Sequence, residues 1–148
     1  MATIKSFTSL EQAKMLEKIL QPESADMCYI QDLLAGCKYG EYKPYIGNLF
    51  PAYGQDKIRC WSLAALLEQI PYELCDDDGN SLYLEINKED DMYQLVYADT
   101  YGNYETIVNL LVYEDTHRDF ENIETDRYEH FVDACYEMIL KLNKLNLL

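Results

Sequence analysis

Three short runs in the second half of the chain constrain its fold more than any other feature. In the first run, Leu82, Leu84 and Ile86 alternate with more polar residues, as in a strand that is buried on one face. Residues 93–97 alternate in the same way, and residues 104–113 are rich in β-branched side chains. Because the turns between these runs are too short for a crossover connection, the pattern predicts an antiparallel meander of about three strands.

Two acidic turns accompany these strands. Residues 76–80 contain an Asp-Gly dipeptide, which is typical of a type I′ hairpin turn, and residues 87–91 form a second polar turn. Because alternate turns of a meander lie at opposite ends of a sheet, we expect two separate acidic patches. The candidate contact residues are Asp76, Asp77 and Asp78 in the first turn and Glu89, Asp90 and Asp91 in the second.

Three helices are predicted around the meander. The first begins at a capping box for which Thr8 and Ser9 are alternative N-caps. The second begins after Ser62 and stops before Pro71, and because it is apolar on most sides we expect it at the centre of the core. The last, over residues 131–145, carries an apolar stripe at helical spacing that is wide enough for core packing.

Residues 36–59 predict a long loop that follows a short strand at 27–30. Glycines and prolines are dense in this segment and break regular structure, and aromatic side chains lie between them. A loop of this length is often functional, and loops rich in tyrosine often contact proteins. The candidate contact residues are Tyr39, Tyr42, Tyr45 and Tyr53.

Length and composition indicate one globular domain. The chain has 148 residues, 49% of them hydrophobic, which is enough for a core of its own. No internal repeat or linker divides it. We therefore expect a single α+β domain over residues 1–148, with a small antiparallel meander packed against about three helices.

Charge is distributed unevenly along the chain. Residues 1–70 carry seven Lys or Arg and eight Asp or Glu, whereas residues 71–148 carry five and nineteen, which gives net charges of −1 and −14. The second half repels the phosphates of nucleic acids and attracts basic partners. Charge of this kind predicts a mode of association and not a chemical reaction.

Motifs for catalysis or metal binding are weak. His117 and His130 lack cysteine or carboxylate neighbours at zinc spacing, and a near match to a calcium loop has Leu74 in its first ligand position. Cys60 lies at a predicted helix start, which lowers the pKa of a thiol, but cysteines next to apolar helices are more often buried and structural. We therefore expect no metal, no cofactor and no catalytic residue, and a small hydrolase that uses Cys60 is the third functional hypothesis.

Cysteine usage and the N-terminal sequence predict a cytoplasmic protein. The five cysteines are odd in number and irregularly spaced, which favours reduced thiols. The first residues lack the apolar run of a signal peptide. The longest nearly apolar stretch, residues 63–67, is too short to cross a bilayer, so we expect no membrane association.

Three segments together carry a family resemblance. They are KSFTSLEQAK at 5–14 with ESADM at 23–27, CWSLAALL at 60–67, and VDACYEMILKL at 132–142 with LNLL at 145–148. In these segments, about a third of its length, the chain resembles a family of small uncharacterised proteins from gut anaerobes and from their phages and mobile elements. The resemblance implies an intracellular accessory protein, encoded by a prophage, and carries no catalytic residues.

The leading hypothesis is a non-catalytic module that binds a protein partner, with a basic partner favoured by the charge. The alternative is an acidic DNA mimic that inhibits a nucleic-acid-binding defence protein, with carboxylates spaced like phosphates. Direct binding of nucleic acid is not expected, because like charges repel. The sequence leaves the oligomeric state open.

Overall fold

The computed structural model describes residues 5–34, 36–47, 55–75, 81–98 and 123–148. Contacts within the chain cluster into two compact units, Met1–Gln69 and Ile70–Leu148. Across the described ranges, three α-helices accompany two three-stranded antiparallel sheets, so the predicted α+β class is confirmed. A single domain over the whole chain stays a prediction.

The first unit contains one sheet with strand order β2-β1-β3. Both pairings are antiparallel, so β1 is the central strand. The elements are α1 (Leu10–Leu16), a 3-10 turn (Pro22–Ser24), β1 (Met27–Asp32), β2 (Lys43–Ile46), β3 (Gln55–Cys60) and α2 (Leu63–Gln69).

The prediction of an unbroken loop over residues 36–59 is wrong, because β2 and β3 lie within it. All four residues of β2 are exposed, so the strand shows no alternation between buried and exposed positions. In β3 only Ile58 and Cys60 are buried, among polar neighbours. The strand predicted at 27–30 is confirmed, and it continues to Asp32.

Helix α1 begins at Ser9, which is one of the two predicted N-caps. The Ser9 hydroxyl accepts the Gln12 N–H, and the Gln12 side chain accepts the Ser9 N–H, which completes a capping box. The Thr8 hydroxyl instead accepts the N–H of Trp61 at 3.2 Å. The helix covers one face of the sheet, where Ala13, Tyr29, Ile58 and Cys60 form a buried cluster.

Helix α2 ends at Gln69, before the proline that was predicted to stop it. Leu66 is fully buried, which agrees with a core position. Ala64 is exposed, so the helix is buried on one side and not around most of its circumference.

The second unit contains β4 (Glu73–Cys75), β5 (Ser81–Glu89) and β6 (Met92–Ala98), in that order across the sheet, and α3 (Phe131–Lys144). The antiparallel pair β5–β6 confirms the first two predicted strands of the meander. Among the described residues, the third strand of this sheet is β4, which precedes the other two in the sequence. The strand predicted at 104–113 and the turn predicted at 76–80 lie outside the described residues.

Helix α3 packs against β6 through the apolar stripe that was predicted from its sequence. Val132, Cys135, Met138 and Leu142 are fully buried on this face. The outer edge of β6 is covered by residues 123–128, which exchange backbone hydrogen bonds with it in antiparallel fashion. The second unit therefore has a closed edge at β6.

Candidate interaction surfaces

Cys60 lies in a structural environment and not in a catalytic one. Its side chain has no exposed surface, and its Sγ is 3.4 Å from the hydroxyl oxygen of Thr8. Burial raises the pKa of the Cys60 thiol, and its contact with Thr8 only partly opposes this shift. The neutral, enclosed thiol is therefore a poor nucleophile.

Metal ligands are not assembled in the described parts of the chain. There, no group of three or more His, Cys, Asp or Glu side chains is placed to hold an ion. His130 is the N-terminal flanking residue of α3, and its side chain makes no capping hydrogen bond. His117 lies outside the described residues.

The uneven charge follows the division of the chain into units. The boundary between the units falls after Gln69, and Ile70 is uncharged, so the first unit carries −1 and the second carries −14. The acidic half defined by sequence is therefore one compact body. We call the unit Ile70–Leu148 the acidic unit.

The β5–β6 turn exposes three of the predicted acidic residues. Asp90 and Asp91 are its two central residues, with φ of 50° and 58°, and they lie between the paired residues Glu89 and Met92. Positive φ at both central positions is the geometry of a type I′ turn. The predicted polar turn over 87–91 is thus two residues long, and β5 extends to Glu89.

Cations partly neutralise this turn. Arg127 Nη2 lies 2.9 Å from Glu89 Oε2, and Lys88 Nζ lies 3.7 Å from Asp91 Oδ1. The Asp91 side chain is nevertheless 98% exposed, and Asp90 forms no ion pair with any residue that the structure describes. Asp76, Asp77 and Asp78 of the other predicted turn lie outside the described residues.

Three further carboxylates, those of Glu137, Asp126 and Asp133, act on Tyr128. The Glu137 carboxylate accepts the Asp126 N–H at 3.2 Å and lies 3.7 Å from Lys141 Nζ. A hydrogen bond from Tyr128 to Glu137 raises the pKa of that tyrosine, with burial and nearby carboxylates adding to the shift. These contacts connect residues 123–128 to α3, and they give the Glu137 carboxylate hydrogen-bond donors and a nearby cation.

A small recess lies beside the turn on one face of the hairpin. Its volume is about 90 Å³, which is well below the roughly 300–1,000 Å³ of most ligand sites. It is lined by Asn87, Glu89, Met92, Gln94 and Arg127.

The predicted tyrosines of the first unit have different environments. Tyr39 is 92% exposed in the connection between β1 and β2, and Tyr45 is 43% exposed on β2. Tyr42 is half-buried and donates its hydroxyl hydrogen bond to Asp56 Oδ2 at 2.6 Å, which raises its pKa to about 12. Tyr53 lies outside the described residues.

Comparison of the chain with protein-family models, curated proteins and solved structures finds no match. Among the described residues, no helix has both the length and the apolar character needed to span a membrane.

Proposed function

We propose that this protein is a non-catalytic, intracellular accessory module that binds a basic surface of a protein partner through its acidic unit. The observation that supports the proposal is the segregation of charge: one compact unit carries −14 and the other −1. A concentrated charge of one sign raises the rate and selectivity of association with a surface of opposite sign.

Exposure of the turn carboxylates supports the same proposal. Asp90 and Asp91 are exposed at the end of a hairpin, where basic side chains of a partner can reach them. Each exposed ion pair contributes about 0.2–1 kcal/mol, so affinity requires several pairs at once. A unit with fourteen excess negative charges can supply them.

The surroundings of Cys60 favour binding over catalysis. A hydrolase that uses this thiol needs an accessible thiolate, whereas Cys60 is enclosed and its pKa is raised by burial.

The test removes charge from the turn without changing its backbone. In the variant Asp90→Asn/Asp91→Asn the side chains remain suited to positive φ, because asparagine adopts that conformation readily. The matched control is Glu11→Gln/Glu23→Gln, which removes two exposed charges from the first unit. Proteins captured from a lysate of the source organism at low salt are compared between the two variants.

We expect a specific partner to bind the turn variant about two- to thirtyfold more weakly than the control, and to dissociate as salt rises. Capture that survives both high salt and the turn variant would contradict the proposal. In that case the acidity serves solubility, and the exposed tyrosines of the first unit become the candidate contacts.

The alternative function is an acidic DNA mimic that inhibits a nucleic-acid-binding defence protein, and the charge segregation favours it as well. A mimic occupies the nucleic-acid site of its partner, so duplex DNA must compete with it for binding. The competition is measured on the captured partner after purification. Displacement by duplex DNA supports mimicry, and binding that DNA leaves unchanged supports the accessory module.

A further inference from the structure

Two cations of the acidic unit lie against carboxylates of the β5–β6 turn. Arg127 Nη2 is 2.9 Å from Glu89 Oε2, and Lys88 Nζ is 3.7 Å from Asp91 Oδ1. We call these two contacts the internal pairs. The sequence of the unit contains five Lys or Arg, so two of its five cations are placed at the turn that is proposed to meet a basic partner. The carboxylates of Glu89 and Asp91 therefore each have a cation of the same chain beside them.

Arg127 is positioned by the backbone of its own segment. The Tyr128 N–H donates to the Tyr93 carbonyl at 2.8 Å, and the Tyr93 N–H donates to the Tyr128 carbonyl at 2.6 Å. These two bonds hold residues 127–128 beside the start of β6, next to the turn. The Arg127 and Glu89 side chains both line the small recess on this face of the hairpin. The guanidinium therefore stays near Glu89 even when the ion pair between them is broken.

Lys88 is positioned by an aromatic ring. Its Nζ lies 5.3 Å from the centroid of the Tyr93 ring, where an ammonium group is attracted to the π electrons. The Tyr93 ring is itself stacked on Phe131 of α3, with centroids 5.1 Å apart and an angle of 9° between the ring planes. Packing therefore keeps this second cation near Asp91 as well.

Exposure makes the internal pairs exchangeable. The Arg127 side chain is 55% exposed and the Glu89 side chain is 67% exposed, and solvent screens a pair of this kind so that it contributes little to stability. A guanidinium of another molecule can therefore replace Arg127 on Glu89, in the bidentate geometry that arginine and carboxylate groups prefer. The displaced Arg127 stays close and repels the incoming cation. Each contact that a partner gains at Glu89 is thus offset by a contact that the chain loses.

We propose that the cations of the internal pairs mask the β5–β6 turn, because they compete with the basic side chains of a partner for the same carboxylates. The inference rests on the proposed function, since it concerns the regulation of the same contact surface. The position of Arg127 on Glu89 indicates the chemistry of the occupant, which is an arginine-containing segment of the partner. Asp90 forms no ion pair with any described residue, so it is open to a first contact. The segment must offer several arginines in order to displace both cations.

The first experiment removes a competing cation and measures the binding of a synthetic peptide in which arginine alternates with glycine. Binding is followed in NMR spectra of the full chain at about 0.15 M salt, where the Debye length is about 8 Å. We expect Arg127→Gln to bind the peptide about 1.5- to fivefold more tightly than the unchanged chain, because loss of an exposed ion pair changes an equilibrium by about this factor. Lys88→Gln should change the affinity in the same direction through Asp91.

The matched control is Lys144→Gln, which removes one positive charge from the same unit. Lys144 is exposed at the end of α3, about 20 Å along the helix from the Phe131 that stacks on Tyr93, and this distance exceeds two Debye lengths. Because Arg127→Gln and Lys144→Gln have the same net charge, a difference between them measures local competition. Arg127→Lys is a second control, because it retains a cation beside Glu89 and should keep the affinity close to that of the unchanged chain.

The second measurement follows the guanidinium resonance of Arg127 in the same titration. We expect it to move toward the position of free arginine as the peptide displaces Arg127 from Glu89. A peptide that binds Asp90→Asn/Asp91→Asn as tightly as the unchanged chain, or that binds no form of the chain, contradicts the proposed function and the masking with it. If binding requires the turn but Arg127→Gln binds no more tightly than Lys144→Gln, or if the Arg127 resonance does not move, the proposed function stands and the masking is overturned.

Discussion

The carboxylate of Asp26 anchors Ser62, which lies 36 residues later in the chain. One Asp26 oxygen accepts the Ser62 N–H at 2.8 Å, and the other accepts the Ser62 hydroxyl hydrogen. Ser62 Oγ in turn accepts the N–H of Ala65 at 3.2 Å, in the first turn of α2. The start of β1 is thus connected to the start of α2 within the first unit.

We expect Asp26→Ala to lower the free energy of unfolding by about 1–3 kcal/mol, because it leaves Ser62 without its charged acceptor. Ser62→Ala should cost about 0.5–2 kcal/mol through loss of the cap. Urea denaturation of both single variants and the double variant measures their coupling. If the two effects simply add, Asp26 does not act through Ser62.

Local signals in the sequence located the helices but not this connection. Helix caps such as Ser9 and Ser62, and the apolar periodicity of α3, involve residues that are close together in the sequence. They can therefore be recognised without knowledge of the fold. The carboxylate of Asp26 follows no such pattern, because its partner is distant in the chain. Long-range hydrogen bonds become visible only when strand order is known.

The missed strands of the first unit have a different physical cause. Sequence patterns detect strands through burial on one face, and β2 has no buried residue. Its Pro44 also indicates a break, although proline is tolerated where the missing N–H faces away from the ladder. The exposure of β2 therefore hides the strand from sequence analysis.

Leu66 should be among the most sensitive core positions. Its side chain is fully buried in α2, so Leu66→Ala should lower the free energy of unfolding by about 2–5 kcal/mol. Leu34→Ala is the matched control, since Leu34 is 73% exposed, and should change it by less than about 0.5 kcal/mol. Similar denaturation midpoints for the two variants would mean that Leu66 does not lie in the core.

Alkylation should divide the five free cysteines by burial. Cys28, Cys60 and Cys135 have no exposed surface, and burial raises the pKa of Cys135 to about 12, so these thiols should resist labelling in the native state. Cys75 is exposed and should react first. Mass spectrometry of the labelled peptides, with and without denaturant, gives the order. Rapid native labelling of Cys60 would restore the hydrolase hypothesis.

Alkaline pH should destabilise the first unit through Tyr29. Its hydroxyl donates to the Thr8 carbonyl at 2.7 Å, and burial raises its pKa from 10.0 to about 12. Between these values the unfolded chain releases a proton that the folded chain retains, so stability is full below pH 10 and falls as pH rises toward 12. Tyr29→Phe should cost about 1 kcal/mol at neutral pH and reduce this alkaline slope. An unchanged slope in denaturation between pH 10 and 12 would assign the effect to other tyrosines.

The turn between β5 and β6 should tolerate a sequence better suited to its backbone. Asp90 and Asp91 have φ of 50° and 58°, and only glycine adopts such values without steric cost, with asparagine next best. Asp90→Asn/Asp91→Gly creates the dipeptide preferred in type I′ turns and should raise the free energy of unfolding by about 0.5–1 kcal/mol. Loss of the exposed Lys88–Asp91 ion pair, whose charged atoms are 3.7 Å apart, offsets little of this gain in stability.

The reversed dipeptide, Asp90→Gly/Asp91→Asn, is the control for loss of charge, because it removes the same two carboxylates. If both variants stabilise the fold equally in urea, relief of repulsion and not turn geometry is the cause.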